Sequence, residues 1–225
     1  MKNKNISSAI ILCGGDSRRM GEDKGSMEID KKPMIIHVLE SLISEINEVV
    51  IVLNDSKRII KYKSLIQEYL DSFDFDIIFV EDEIKNKGPL SGIMTGLKTI
   101  NSDYGLVLPC DSPYISSDFV QTMFNTLYDF IDSDRDIEGI VPYHINDDIA
   151  DFDLKEVILK NTEPLHSIYK KKNYSIIEDL LKSDEKQVKS FINLINSYFI
   201  PINTNVSSNK INEINFININ YKKDL

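Results

Sequence analysis

The chain has 225 residues, 36 of them acidic against 26 basic for a formal charge of −10, with 42% hydrophobic residues and two cysteines. That length supports one sizeable core, and the composition is neither fibrous, disordered nor disulfide-stapled. The acidic balance excludes a broad basic face for nucleic acid, so an anionic ligand must rely on a local cluster of positive charge. No apolar run approaches the ~20 residues that span a bilayer, and the run behind "MKNKNISS" is too short for a signal peptide; a cytosolic protein with no membrane partner is expected.

In chain order, "SAIIL" reads as a buried first strand, short, β-branched and bounded by polar residues and glycines. Directly behind it, "LCGGDSRRMGEDKGS" (residues 12–26) crowds glycines together with Arg18, Arg19 and Lys24. Glycine lets a backbone come close to a ligand and cations beyond it neutralise negative charge, so the segment suggests a phosphate site. "SMEI" is a short strand, and Pro33 takes a first-turn position ahead of a helix over "MIIHVLESLISEI". "VVIVLN" (49–54) is the second buried strand, a lysine-rich helix follows to about residue 70, and "DIIFV" is the third strand. "KGPLSGIMTGLKTI" is a loop entering a helix, "YGLVLPCD" a fourth strand, "SSDFVQTMFNTLYDFI" a capped amphipathic helix and "EGIVPY" a fifth strand. This alternation predicts an α/β fold with a mostly parallel central sheet covered on both faces.

Residues 144–163 are acidic and weakly periodic and read as a surface excursion. "EPLHSIYKKKNYSIIEDLLKSD" resumes helical spacing and "KQVKSFINLI" is another helix; "YFIPIN" and "INFININ" are strands flanking an asparagine-rich loop. With no repeat and no linker, residues 1–225 form a single domain.

Ligands in open α/β sheets bind outside the carboxyl ends of the strands, so the residues following each strand belong together. They are Leu12, Cys13, Gly14 and Gly15 after the first, Asn54 after the second, Glu81 and Asp82 after the third, and Asp111 after the fourth. Neither a P-loop nor a dinucleotide fingerprint is present; the pattern is G-G-x-x-x-R-M-G-x-D-K. Asp111 in "PCDSP" suits Mg²⁺, which is held by one or two carboxylates plus substrate phosphates, or else forms an Asx turn. Asp82 is either a ligand or a solvated loop carboxylate, and Asn54 either a ligand or a helix cap. Ser91, Gly92, Thr95 and Gly96 put small residues in a helix, which fits close approach to a ligand or to the first strand. Cys13 and Cys110 fit buried reduced thiols better than a disulfide or a metal site. His37, His144 and His166 have no metal-ligand spacing and fit structural or surface roles, and Lys170 to Lys172 fit a solvated face.

Taken in order, "LCGGDSRRMGEDKG", "GPLSGIMTGL", "LVLPCDSPYIS", "EPLHSIY" and "FININYKKDL" resemble the molybdenum cofactor guanylyltransferases of the MobA type, over residues 9–225. The resemblance implies a three-layer Rossmann-like, GT-A-like nucleotidyltransferase fold that uses Mg²⁺ and GTP to attach GMP to molybdopterin. It implies nucleotide binding by Leu12, Cys13, Gly14, Lys24, Asn54, Asp82 and Asp111 and metal binding by Asp111; the mechanism expected from these residues adds Gly15 to the nucleotide cradle and gives Arg19, Lys24 and Asp111 the catalytic roles. Phe216, Asn218, Ile219 and Asn220 match the tail that lies near the pterin side, which makes Asn218 and Asn220 the acceptor-binding candidates. Cofactor-biosynthesis proteins and recipient molybdoenzymes are the implied protein partners. Cys13 stands where the family usually has alanine, and the acidic excursion has no counterpart in it. A cytidylyltransferase for the same cofactor, a sugar-phosphate nucleotidyltransferase and a non-catalytic GTP-binding carrier remain the alternatives.

Overall fold

The first apolar run forms strand β1 (Ser8–Leu12), enclosed on both sides because it lies inside a sheet. The computed structural model describes residues 7–14, 23–42, 46–145, 154–202 and 211–219. A small hairpin, β2 (Glu28–Ile29) and β3 (Lys32–Pro33), leads into α1 (Met34–Glu40); β4 (Glu48–Leu53), α2 (Ser56–Ile66) and β5 (Asp76–Glu81) follow. Next come α3 (Pro89–Thr99), β6 (Tyr104–Pro109), α4 (Ser117–Asp132) and β7 (Gly139–His144). The last elements are α5 (Leu154–Lys160), β8 (Ser167–Lys170), α6 (Tyr174–Lys182), α7 (Val188–Leu194) and β9 (Ser197–Ile202).

Seven strands pair in the order β5-β4-β1-β6-β8-β7-β9. Every pairing is parallel except those of β8, which runs antiparallel between β6 and β7. Because side chains alternate along a strand, Ala9 and Ile11 face the core built with α1, α2 and α4, while Ile10 faces the core built with α3, α6 and α7. The result is three layers. Local chemistry supports the helix starts: the Asp55 carboxylate accepts from Arg58 N, the Ser116 hydroxyl accepts from Phe119 N, and Pro89 opens α3 behind Gly88 at φ 71°.

The strand order reverses at β1, with β4 and β5 on one side and β6 on the other. The crevice at the carboxyl ends of β1 and β6 is therefore the expected ligand site.

Several expectations are corrected. Pro33 stands one position earlier than a first-turn proline, at the cap of α1, and α1 ends at Glu40 rather than running through residue 46. The stretch "SIYK" is strand β8 and not the start of a helix. It is only four residues long and buried on both faces, so it lacks the alternation that marks a strand, and the helical spacing begins at Tyr174. The acidic excursion contains α5, and Tyr143 bridges to Thr162 across it; residues 146–153 lie outside the described residues. "INFININ" is not a strand where described. Asn212 and Asn215 cap a short 3₁₀ turn over Glu213–Phe216, diverting backbone groups that a sheet would need.

Gly92 and Gly96 allow α3 to lie directly on β1. A Cβ at Gly96 would stand 2.3 Å from Ile10 Cγ2, and one at Gly92 would stand 3.0 Å from Leu12 Cδ2. Gly96→Ala should therefore destabilise the fold by about 1–3 kcal/mol, because overpacking outweighs the gain of about 1 kcal/mol in helix propensity. Urea unfolding measures this, and a variant as stable as the parent would refute the packing explanation.

Candidate active site

Backbone pairing continues past the ends of the central strands. Cys13 N donates to Val52 O at 2.9 Å, Cys110 N to Leu12 O at 3.2 Å and Asp82 N to Leu53 O at 2.8 Å. These bonds align the residues that follow β1, β4, β5 and β6 along one edge, where Gly14, Lys24, Asn54, Asp82, Gly92 and Asp111 line a cavity of about 630 Å³. Within it, Lys24 Nζ donates to Asp111 Oδ2 at 2.7 Å, the two side chains being 26% and 18% exposed. A cation and a carboxylate 87 residues apart thus meet at the switch point of the sheet.

Helix α2 fixes where Lys24 can be. Tyr62 Oη donates to Asp23 Oδ1 at 2.7 Å, Arg58 Nε lies 3.5 Å from Asp23 Oδ2, and Arg58 Nη1 donates to Cys13 O at 3.0 Å. Arg58 and Tyr62 are one turn apart on the same helix face. Together they hold both ends of the glycine-rich segment. Burial, with Cys110, Cys13 and Asp23 around it, pushes the Tyr62 phenol far above its ordinary range, so it remains a donor. Burial and contact with Cys110 likewise push the Cys13 thiol up, and both cysteines are free and buried. They serve as packing groups rather than nucleophiles. A Cβ at Gly25 would stand 2.4 Å from Tyr62 Oη and 2.9 Å from Cys110 Sγ, which accounts for a glycine directly after Lys24.

Asp82 is not a solvated loop carboxylate. It is 8% exposed, and its Oδ1 accepts from Ser91 Oγ at 2.5 Å and Thr95 Oγ1 at 3.1 Å. This explains the two hydroxyls in α3, as packing on β1 explains the two glycines. Asn54 is not the cap of α2, since Asp55 is. Its Oδ1 instead lies 2.6 Å from where a Gly14 Cβ would be. Glu81 is turned outward and pairs with Lys85 at 2.6 Å.

The C-terminal segment packs against the Asp111 turn. Ile219 N donates to Asp111 O at 3.0 Å, and the Ser112 hydroxyl donates to Asn218 Oδ1. Behind Ser112 lies His166, 1% exposed, with Nε2 3.1 Å from Ser112 Oγ and Nδ1 3.6 Å from Glu163 Oε2. Glu163 Oε1 lies 2.9 Å from His144 Nε2, and Phe216 sets its ring edge-on against both histidines. His37 Nε2 sits 3.0 Å from Ile29 O, a structural contact. Gly15, Arg18, Arg19 and Asn220 lie outside the described residues.

Sequence reasoning missed Asp23, Arg58, Tyr62 and the buried roles of Ser112, His166 and Glu163. The Arg-x-x-x-Tyr spacing just after the second strand was the available signal for the first group; nothing in the local sequence marks the second.

Among the described residues no group of three or more His, Cys, Asp or Glu side chains could cage a metal ion. Asp111 offers a hard carboxylate at the cavity wall, which fits a cation that draws its remaining ligands from phosphates and water. Also among the described residues, no helix is long and apolar enough to cross a membrane.

Residues 9–196 match the family described as the MobA-like NTP transferase domain. The chain is 32% identical over 192 residues to a probable molybdenum cofactor guanylyltransferase of Methanothermobacter thermautotrophicus, covering 85% of each chain. It is 32% identical over 197 residues to one from Peptoclostridium acidaminophilum, covering 88% of this chain and 77% of that one. The fold is shared with the crystal structure of molybdopterin-guanine dinucleotide biosynthesis protein A from Archaeoglobus fulgidus at a TM-score of 0.69 and 21% identity, covering 96% of this chain and 94% of that one.

Two predictions follow from the contacts. Tyr62→Phe leaves a buried Asp23 oxygen without its donor and should cost about 1–3 kcal/mol in chemical denaturation; no loss would mean that Arg58 alone holds Asp23. Burial alone would raise the Glu163 carboxyl, but the nearby His166 and His144 rings outweigh it and hold the group below the ordinary glutamate range. Its stabilisation is then complete above the unfolded-state value near pH ~4.3 and is lost as pH falls through the lower folded-state value. Glu163→Gln should flatten the acid limb of the urea midpoint plotted against pH, and an unchanged limb would dissociate Glu163 from acid unfolding.

Proposed function

The chain belongs to the MobA-like NTP transferase family, and from that premise we propose that it transfers GMP from GTP to the phosphate of molybdopterin, releasing pyrophosphate and forming the guanine dinucleotide form of the molybdenum cofactor. The single observation that carries this reading is the Lys24–Asp111 pair inside the crevice at the ends of β1 and β6. Transfer of this kind demands positioning and charge neutralisation more than covalent catalysis.

An oxygen of the acceptor's terminal phosphate attacks the α-phosphorus of GTP. The new P–O bond forms as the bond to the β-phosphate oxygen breaks, and pyrophosphate leaves. The backbone from Leu12 through Gly14 and Gly15 cradles the nucleotide, with Asn54 and Asp82 beside it. Lys24 exchanges its contact with Asp111 for the phosphates, and Arg19 adds positive charge from the same segment. Asp111 is the residue that would hold Mg²⁺, which when bound neutralises charge on the phosphates. Asn218 and Asn220 contribute the acceptor side. Molybdopterin supply and delivery of the product to molybdoenzymes bring the cofactor-biosynthesis and recipient proteins as partners.

The test is pyrophosphate release with Mg²⁺ and molybdopterin, comparing GTP, CTP and ATP, with a sugar 1-phosphate as alternative acceptor. Release is expected with GTP and molybdopterin, and Asp111→Asn should lower turnover on the order of 10²- to 10³-fold. Release with CTP alone would change the product, release onto the sugar phosphate alone would change the acceptor, and GTP binding without release would make the protein a carrier. Near-normal turnover in Asp111→Asn would remove the metal role of that residue.

A further inference from the structure

We propose that Asp23 is a positioning residue that, gripped by Tyr62 and Arg58 of α2, presets the Lys24 ammonium for the charge that develops on the leaving phosphates. The inference rests on the reading above in which Lys24 meets the phosphates of the nucleotide, and it concerns how that cation is held.

The starting observation is a carboxylate in an unfavourable place. Asp23 lines the cavity with its side chain 10% exposed, in a crevice that must admit an anionic nucleotide. Left alone, its charge would repel the phosphates. Nor does it serve its own backbone. It stands directly before the 3₁₀ turn Lys24–Ser26, where aspartate commonly caps with its side chain, yet its carboxylate accepts no bond from that turn. It is turned instead to α2. Tyr62 Oη donates to its Oδ1 at 2.7 Å, while Oδ2, buried and without a hydrogen bond, lies 3.5 Å from Arg58 Nε as an ion pair. The guanidinium offsets the charge and the phenol fixes the direction.

The turn is tied at its far end as well. Lys61 Nζ donates to Ser26 Oγ at 2.7 Å, and the amide and hydroxyl of Ser26 both donate to Asp23 O, at 3.1 and 2.8 Å. Met27 N closes the turn on Lys24 O at 3.0 Å. Arg58, Lys61 and Tyr62 stand at i, i+3 and i+4, so one face of one helix holds residues on both sides of Lys24. Gly25 completes the seat, because only a residue without a Cβ lets the turn rest on Tyr62 Oη and Cys110 Sγ. Cys110 directly precedes Asp111, and the seated backbone delivers Lys24 Nζ to Asp111 Oδ2 at 2.7 Å. With its backbone fixed, Lys24 can pass from Asp111 to the phosphates by side-chain rotation alone. An ammonium held in this way has little reorganisation left to make as charge builds up, which is where preorganised groups gain their effect.

The test places full-length Tyr62→Phe and Asp23→Ala in the parent and in Lys24→Ala. Pyrophosphate release with Mg²⁺, GTP and molybdopterin reads turnover, GTP titration without acceptor reads binding, and hydrogen exchange at Met27 reads the turn. In the parent background each variant should lower kcat about tenfold and GTP affinity about threefold, and should lose protection at Met27. In the Lys24→Ala background neither should lower kcat or affinity further, since a lysine that is absent cannot be misplaced. Were Asp23 only a charge on the cavity wall, Asp23→Ala would tighten GTP binding and leave kcat intact. That result, unchanged exchange at Met27, or a further loss on top of Lys24→Ala would each overturn the proposal. A parent protein that transfers nothing to molybdopterin would overturn the reaction proposed above instead. Lost protection at Met27 with weaker GTP binding that depends on Lys24 would then still support the positioning role, and GTP binding unaffected by both variants would overturn it.

Discussion

Strand β1 is held between β4 and β6 by parallel hydrogen bonds that run on one residue beyond its end, and the site exists because of that alignment. The amide of Cys13 is spent on β4 and the carbonyl of Leu12 on β6, so Cys13 and Cys110 finish level with each other. Gly14 and Asp111 then follow at the same height. A shift of one residue in either pairing would turn the side chains of β1 to the wrong cores and carry Asp111 away from Lys24. The glycines of α3 serve the same alignment, because only a helix resting directly on Ile10 and Leu12 brings Ser91 and Thr95 to Asp82.

Charge is distributed with economy across the crevice of a strongly acidic chain. Three carboxylates line it and meet different partners: Asp82 the hydroxyls of Ser91 and Thr95, Asp111 the ammonium of Lys24, and Asp23 the phenol of Tyr62 with the Arg58 guanidinium nearby. The ammonium beside Asp111 offsets its charge at the cavity wall. The difference lies in the partner supplied by a neighbouring element rather than in the carboxylates themselves.

How much of this was legible in the sequence depends on range. The strands β1, β4, β5, β6 and β7 and the helices α2, α3 and α4 announce themselves through apolar runs and spacing, and the residues after those strands converge as the fold type requires. Strand β8 escaped because four residues buried on both faces carry no alternation, and the asparagine-rich tail escaped because side-chain capping outcompeted the strand propensity of its isoleucines. The choice between a ligand and a solvated carboxylate at Asp82 stayed open because its donors lie 9 and 13 residues further on, in a helix. The contact between His166 and Ser112 joins positions 54 residues apart and leaves no local trace at all.

Arg58 and Tyr62 grip the carbonyl of Cys13 and the carboxylate of Asp23 from a helix that lies outside the segment between them. Positions 13 and 23 are therefore both fixed by one helix. The four-residue spacing on α2 puts the guanidinium and the phenol one turn apart, so a single helix face serves both anchor points. The place of Lys24, next to Asp23, is thus set by a helix that follows it by more than thirty residues in sequence.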